Sequence, residues 1–372
     1  MKSDSDFWPH IDPTCALWLN EGGLQPLNLC ERSLLPIVQG GMGIGVSAHR
    51  LAGSVAALGG VGTISSVDLR RHHPDLMERT QGLAPGDAAR EAIDAANLEA
   101  IEREIRAARE HAQGRGLLAI NVMRAVSAYG PSVTRALECG IDAVVVGAGL
   151  PLDLPDAIVI EHPRLAGGHL GAARIADLND PRFDFENVIP QSLAFLRSAG
   201  IEREVPLIAA GGIRTHADIV HLQGLGAAAV QLGTPFAVTE EGDAHAEFKR
   251  VLAEADDTDM VEFTSVAGLP ARAVGTPWLR AYLKIEDRLQ AVSHAKSRCT
   301  KNFDCLAQCG LRDGLPGWGQ FCIDNQLAAA LRGDTRKGLF FRGAGALPFG
   351  SEIRSARALT EKLLVPAALG AG

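Results

Sequence analysis

Thirteen residues carry the densest potential for chemistry: Val159-Ile160-Glu161-His162-Pro163-Arg164-Leu165-Ala166-Gly167-Gly168-His169-Leu170-Gly171. A short β-branched run leads into a turn too rich in glycine to be helix, and His169 stands at its tip. Imidazole titrates near neutrality, so His169 can serve as base, acid or hydrogen-bond donor. Glycines 167, 168 and 171 let the backbone take positive φ and approach a flat ligand closely. A loop histidine that only caps a helix is the alternative reading. Two further glycine-rich turns tip the balance towards a site. Ala209-Ala210-Gly211-Gly212-Ile213 and Gln231-Leu232-Gly233-Thr234 end consecutive apolar runs about twenty residues apart. In parallel barrels the loops after the last two strands hold phosphate with backbone N–H groups, which glycine leaves unobstructed. Thr234 can add a hydroxyl.

Two other constellations compete for attention. Gly43-Ile44-Gly45-Val46-Ser47-Ala48 has the G-x-G-x-x-A form of a dinucleotide turn, with Asp68 about twenty residues on. That reading leaves the 211/233 glycines and the His169 turn unexplained. Near the C-terminus, Cys299, Cys305, Cys309 and Cys322 are spaced C-x₅-C-x₃-C-x₁₂-C. Four thiolates so crowded suit an iron–sulfur cluster or zinc; thiols packed under a loop are the structural alternative. Cys15, Cys30 and Cys139 read as small core residues, and His72, His73 and Asp75 as solvated.

The elements that must position these groups alternate. Strands are expected at 34–39, 61–64, 117–121, 143–146, 157–161, 205–210 and 228–232, and helices at 47–58, 89–113, 130–139, 184–199 and 215–223. Short apolar strands separated by helices predict a parallel α/β fold. Seven strands are counted, and only Leu150 to Pro155 separates the fourth from the fifth. That is too short for a right-handed crossover of a dozen residues or more. Residues 1–32 read as irregular, 68–90 as a polar excursion, and the loop 266–272 as part of the rim.

Composition narrows the class. The chain has 372 residues, 47% hydrophobic and 22% charged, with net charge −8. A negative balance argues against non-specific binding to nucleic acid or an anionic membrane. The opening residues carry no apolar signal segment, and no run is long enough to span a bilayer. A cytoplasmic protein acting on a small-molecule substrate is expected, with self-association left open.

Six motifs then occur in order: Pro36-Ile37-Val38-Gln39-Gly40-Gly41-Met42, Ala119-Ile120-Asn121-Val122, Val146-Gly147-Ala148-Gly149, Ala166-Gly167-Gly168-His169, Ala209 to Ile213, and Gln231 to Thr234. Over about residues 34–275 the chain resembles the nitronate monooxygenase (2-nitropropane dioxygenase) family of FMN-binding barrels. That family also includes enoyl-acyl-carrier-protein and quinone reductases. The resemblance implies a TIM-type (β/α)8 barrel, here with one βα unit missing. An N-terminal wrap (1–33) would precede it, and a cysteine-bearing extension (276–372) would follow.

By the same resemblance Gly40, Gly41, Met42 and Asn121 lie along the flavin, and Gly211, Gly212, Gly233 and Thr234 hold its phosphate. Gly147, Glu161, Gly168 and Gln231 complete the FMN set, and His169 is the active-site histidine. The implied reaction is oxidation of alkyl nitronates by FMN and O2. NAD(P)H-dependent reduction of an enoyl thioester or a quinone is the first alternative, and a non-catalytic flavin, iron–sulfur or scaffold protein the second. The tail spacing is similar to that of the four-iron site in flavin barrels related to dienoyl-CoA reductase.

Overall fold

The computed structural model describes residues 8–149, 155–202, 204–295, 299 and 305–367. Seven parallel strands form one curled sheet: β1 (Ile37–Gln39), β2 (Val61–Ser65), β3 (Leu117–Met123), β4 (Ala143–Gly147), β5 (Ile158–Glu161), β6 (Leu207–Ala210) and β7 (Ala229–Leu232). Their spatial order is β4-β3-β2-β1-β7-β6-β5. Pairing of β1 with β7, Val230 opposite Ile37, closes the wall at the point where first and last strands meet. Among the described residues β4 and β5 are the two edges, so the wall is open between them. The expected barrel lacking one unit is the architecture found.

Alternation along the strands sorts the apolar residues into two layers. Val38, Val61, Leu117, Ala119, Ile208 and Ala229 form one cluster inside the curl, joined by Leu27 and Leu34. Those two leucines belong to a small antiparallel hairpin, Leu27–Leu29 with Arg32–Leu34, which plugs the N-terminal end of the barrel. Ile37, Leu207, Ala209, Val230 and Leu232 instead face the helices. Helix His49–Leu58 packs on the long helix Asp87–Ala112, and the last helix, Ala356–Leu364, lies against Pro13–Glu21, His49–Leu58 and His216–Leu225.

Several expectations change. The N-terminal segment is not irregular throughout: Asp12 accepts from the N–H groups of Thr14 and Cys15, and Pro13 opens a helix over Pro13–Glu21. In the segment after β2 Asp75 is exposed as expected, but His72 and His73 are not solvated. His72 Nε2 donates to the Gly45 carbonyl at 2.8 Å. His49 and His73 both lie beside Glu104, at 2.8 and 2.9 Å, and Glu104 is only 1% exposed. Burial alone would raise that carboxyl, but the two imidazoles outweigh it and hold it at about 2. The dinucleotide reading of Gly43–Ala48 also fails. Asp68 is gripped by Arg70 at 2.8 Å and Arg71 at 2.5 Å, leaving it no part in ribose recognition, and the β1–β7 pairing is that of a barrel.

Candidate active site

The same alternation that fills the interior decides what reaches the C-terminal mouth. Two residues beyond Ala119 comes Asn121; two beyond Ala229 comes Gln231; four beyond Val61 comes Ser65. On β5, Ile158 and Ile160 pack towards the helix layer, so Glu161 points inward. The apolar interior is thus capped by a polar layer of Ser65, Asn121, Glu161 and Gln231. Glycine is required at Gly41, where the β1 turn crosses this layer, and the turn packs closely at Gly40 and Gly43 as well. A Cβ on Gly41 would sit 2.4 Å from the Asn121 Cβ, one on Gly40 3.4 Å from the Gln231 side chain, and one on Gly43 3.3 Å from Ser65 Oγ. The Met42 N–H donates to Ser47 Oγ at 2.9 Å, which anchors the turn to its helix.

The β6 turn is equally demanding. Gly211 (φ 109°) and Gly212 (φ 76°) adopt left-handed conformations that disfavour a side chain. They back onto the turn 162–166: added Cβ atoms would meet the His162 carbonyl at 3.2 Å and the Leu165 side chain at 2.6 Å. The amides of Gly211, Gly212 and Gly233 find no acceptor among the described residues. Thr234 Oγ1 accepts from the Gly343 N–H at 3.0 Å, which ties the C-terminal loop to the mouth and leaves its hydroxyl hydrogen available. Gly147, by contrast, has open space around it.

His169 is held from outside the barrel. Residues Met260–Thr264 (β8) and Pro270–Val274 (β9) form an antiparallel pair. The short strand Gly168–His169 adds to its edge, His169 opposite Ala271. The turn between β8 and β9 places fully buried Ser265 so that its Oγ lies 2.8 Å from His169 Nε2 while accepting from the Ala267 N–H at 3.1 Å. Phe341 flanks the ring, centroids 5.6 Å apart. Enclosure by protein pushes the imidazole down to about 4, so near neutral pH it is an uncharged donor and acceptor.

Arg272, 3% exposed, fixes the turn before the histidine. It donates to the Pro163 carbonyl at 3.2 Å and to the Ala166 carbonyl, and pairs with Glu262 at 2.6 Å. Glu161 Oε1 accepts from the Gly171 N–H at 2.7 Å. Burial pushes its carboxyl up to about 7, against the pull of that N–H and of Arg272.

Gly40, Gly41, Met42, Asn121, Glu161, Gly168, His169, Gly211, Gly212, Gln231, Gly233 and Thr234 therefore sit on the strand ends and turns that build one mouth. Gly147 lies at its open edge. Sequence reasoning missed Ser65, Ser265, Arg272 and Phe341. Period two from Val61 would have found Ser65. The others come from segments about 100 residues or more away and leave no local signal.

The expected cysteine cage is not seen among the described residues. Among the described residues no three His, Cys, Asp or Glu are grouped to hold a metal ion. Cys309 is buried in an apolar cluster with Phe263, Leu311 and Phe321, its N–H donating to Asp313. Cys322 opens helix Ile323–Leu331 and lines a surface cavity of about 390 Å³ with Trp278, Tyr282 and Phe321. Apolar packing competes with convergence on an ion. Residues 300–304, between the first two cysteines, lie outside the described residues. No helix among the described residues is long and apolar enough to cross a membrane.

Comparison with known proteins adds to this geometry. Residues 114–365 match the family described as nitronate monooxygenase. Among curated relatives, a probable nitronate monooxygenase of Staphylococcus saprophyticus is 29% identical over 133 residues, covering 36% of each chain. One of Bacillus subtilis is 32% identical over 122 residues, 33% of each. The matching stretches thus span about a third of those relatives' own length. Among solved structures, a point mutant of FabK from Thermotoga maritima superposes with a TM-score of 0.57 at 20% identity, over 88% of this chain and 90% of that one. Nitroalkane oxidase from Streptomyces ansochromogenes covers 92% and 96% at 20% identity, with a TM-score of 0.43. The FabK likeness supports the barrel fold. With more than half of its length matched by the family, the chain belongs to the nitronate monooxygenase family.

Proposed function

We propose that this protein is an FMN-dependent oxidoreductase that oxidises alkyl nitronates with O2. The observation that carries the reading is a polar layer capping an apolar barrel, crossed by glycine turns and overlooked by a histidine fixed through Ser265. The residues suit a flat, phosphate-bearing group. Glycine at 41, 211 and 212 lets these turns pack directly on Asn121 and on the 162–166 turn, and three turn amides lack acceptors among the described residues. In this reading Gly40 to Met42, Asn121 and Gln231 line the ring system, and Gly211, Gly212, Gly233 and Thr234 hold the phosphate. Gly147, Glu161 and Gly168 border the rest of the group.

FMN, when bound, supplies the electron acceptor for the substrate and the route to O2. The chain's own residues bind, orient and exclude water. His169, uncharged near neutrality, hydrogen-bonds the substrate's polar end and steadies charge that develops there, while Ser265 keeps the ring facing the mouth. Phe341 removes water from its flank.

Purified protein should show flavin absorbance, or gain it on adding FMN; failure of both would end this reading. Turnover with nitronate and O2, set against NADH with a quinone and NADH with an enoyl thioester, assigns the reaction. His169→Ala should lower turnover about 10²-fold or more while flavin content stays near normal. Equal loss of both would make the histidine structural.

A further inference from the structure

We propose that Glu161 is the proton-carrying group of the mouth, giving a proton to the molecule bound there and taking one back. The proposal deepens the oxidoreductase reading and depends on it only for the identity of that molecule. Its basis is the environment of one carboxyl group. Strand alternation turns Glu161 inward at the C-terminal end of β5, the one acidic member of the polar layer formed with Ser65, Asn121 and Gln231. Oε1 accepts from the Gly171 N–H, two residues beyond His169, which ties the carboxyl to the segment that carries the imidazole. Oε2 has no partner among the described residues.

The surroundings offer no strong counter-charge. On β6 the residue opposite is Ala210, and β5 is an edge of the sheet. His162, next in sequence, is turned to Asp184 at 3.3 Å. Arg272, on β9, is the charged group that acts on Glu161, but its guanidinium is occupied by Glu262 and by the carbonyls of Pro163 and Ala166. A carboxyl enclosed in this way titrates at about 7, and His169 at about 4. The usual order of the two side chains is inverted: in neutral solution the carboxyl, not the imidazole, is poised to exchange a proton. In the step itself the Glu161 O–H bond breaks, an N–H or O–H bond forms on the ligand, and the carboxylate recovers its proton from water. No electrons are transferred.

Infrared difference spectra of the apoprotein between about pH 5.5 and 8.5 test this directly. A carboxylic-acid carbonyl band should be present at the lower pH, disappear with a midpoint of about 7, and be missing in Glu161→Gln. The glutamine keeps the acceptor for the Gly171 N–H, and circular dichroism confirms that the variant folds. Adding FMN, as the probe, should shift the band. In the loaded enzyme Glu161→Gln should flatten the pH–rate limb near neutrality and slow turnover about 10²-fold with flavin content unchanged. Three results would overturn the proposal: no such band, a band that survives in Glu161→Gln, or a limb that persists in that variant. If the protein takes up no FMN, the oxidoreductase reading falls, and the titration of the band still decides for or against Glu161 as the mouth's acid group.

Discussion

The two sides of the barrel are built to different standards. On the closed side every residue of β2 is buried between the interior and the helices. On the open side every residue of β4 is partly exposed, and Val159 on β5 is 38% exposed. The polar layer spans both sides, yet the groups that titrate, Glu161 and His169, belong to the open one. Their positions are set by what reaches them from outside the wall: β8, β9, Ser265 and Arg272. Where a wall is complete, packing positions a side chain; where it is not, an added sheet and a buried guanidinium take over that task.

Glycine substitutions give the largest separation of the two sides. Gly62→Ala would put a Cβ 1.9 Å from the Ala52 carbonyl oxygen and should cost about 3 kcal/mol or more. Gly147→Ala, on the open edge with nothing within 4 Å, should stay within about 0.5 kcal/mol. Denaturant midpoints measure both, and similar values would erase the distinction. Next comes Arg272→Met, which leaves the Pro163 and Ala166 carbonyls unbonded while Glu262, at 39% side-chain exposure, rehydrates. A loss of about 2–3 kcal/mol is expected, with turnover falling further than stability predicts because the His169 turn is released.

A pH series sharpens the comparison on the open side. Glu161 is raised from an ordinary 4.5 to about 7, so stability from its protonated form is full below about 4.5 and is lost as pH rises through about 7. Glu161→Gln should therefore stabilise the protein at pH 8 by on the order of 2 kcal/mol and make no difference near pH 4.5. Glu104, held at about 2 on the closed side, has the opposite sign: its contribution is present above 4.5 and lost as pH falls through about 2. On the histidine itself a modest effect is expected from Ser265→Ala, about 1 kcal/mol for one hydrogen bond. Its informative readout is kcat, which should fall while KM changes little.

Legibility in the sequence follows the same division. All seven barrel strands and the helices between them could be read because each strand is a local apolar run, four of them ending in glycine, and each helix has its own local apolar period. The glycine turns and His169 were legible for the same reason. The Gly168–His169 strand was not, since two residues carry no period and its partner lies about 100 residues away. The His49–Glu104–His73 cluster joins segments up to 55 residues apart, so His73 looked solvated. Asp12-Pro13 did announce a helix start, but the prolines and glycines around it outweighed the cap.

The seam between β1 and β7 has one further consequence. Val230 pairs with Ile37 across about 190 residues of chain, so that contact pays the loop-closure entropy of nearly the whole barrel. As the chain is synthesised, β2, β3 and β4 can assemble onto β1 long before β7 exists, leaving the far edge of β1 bare. Gly40 and Gly233 meet only when that edge is finally covered. The mouth is thus among the last parts of the molecule to be completed, and a chain stalled before residue 229 holds most of its strands but neither Gln231 of the polar layer nor the Gly233 turn.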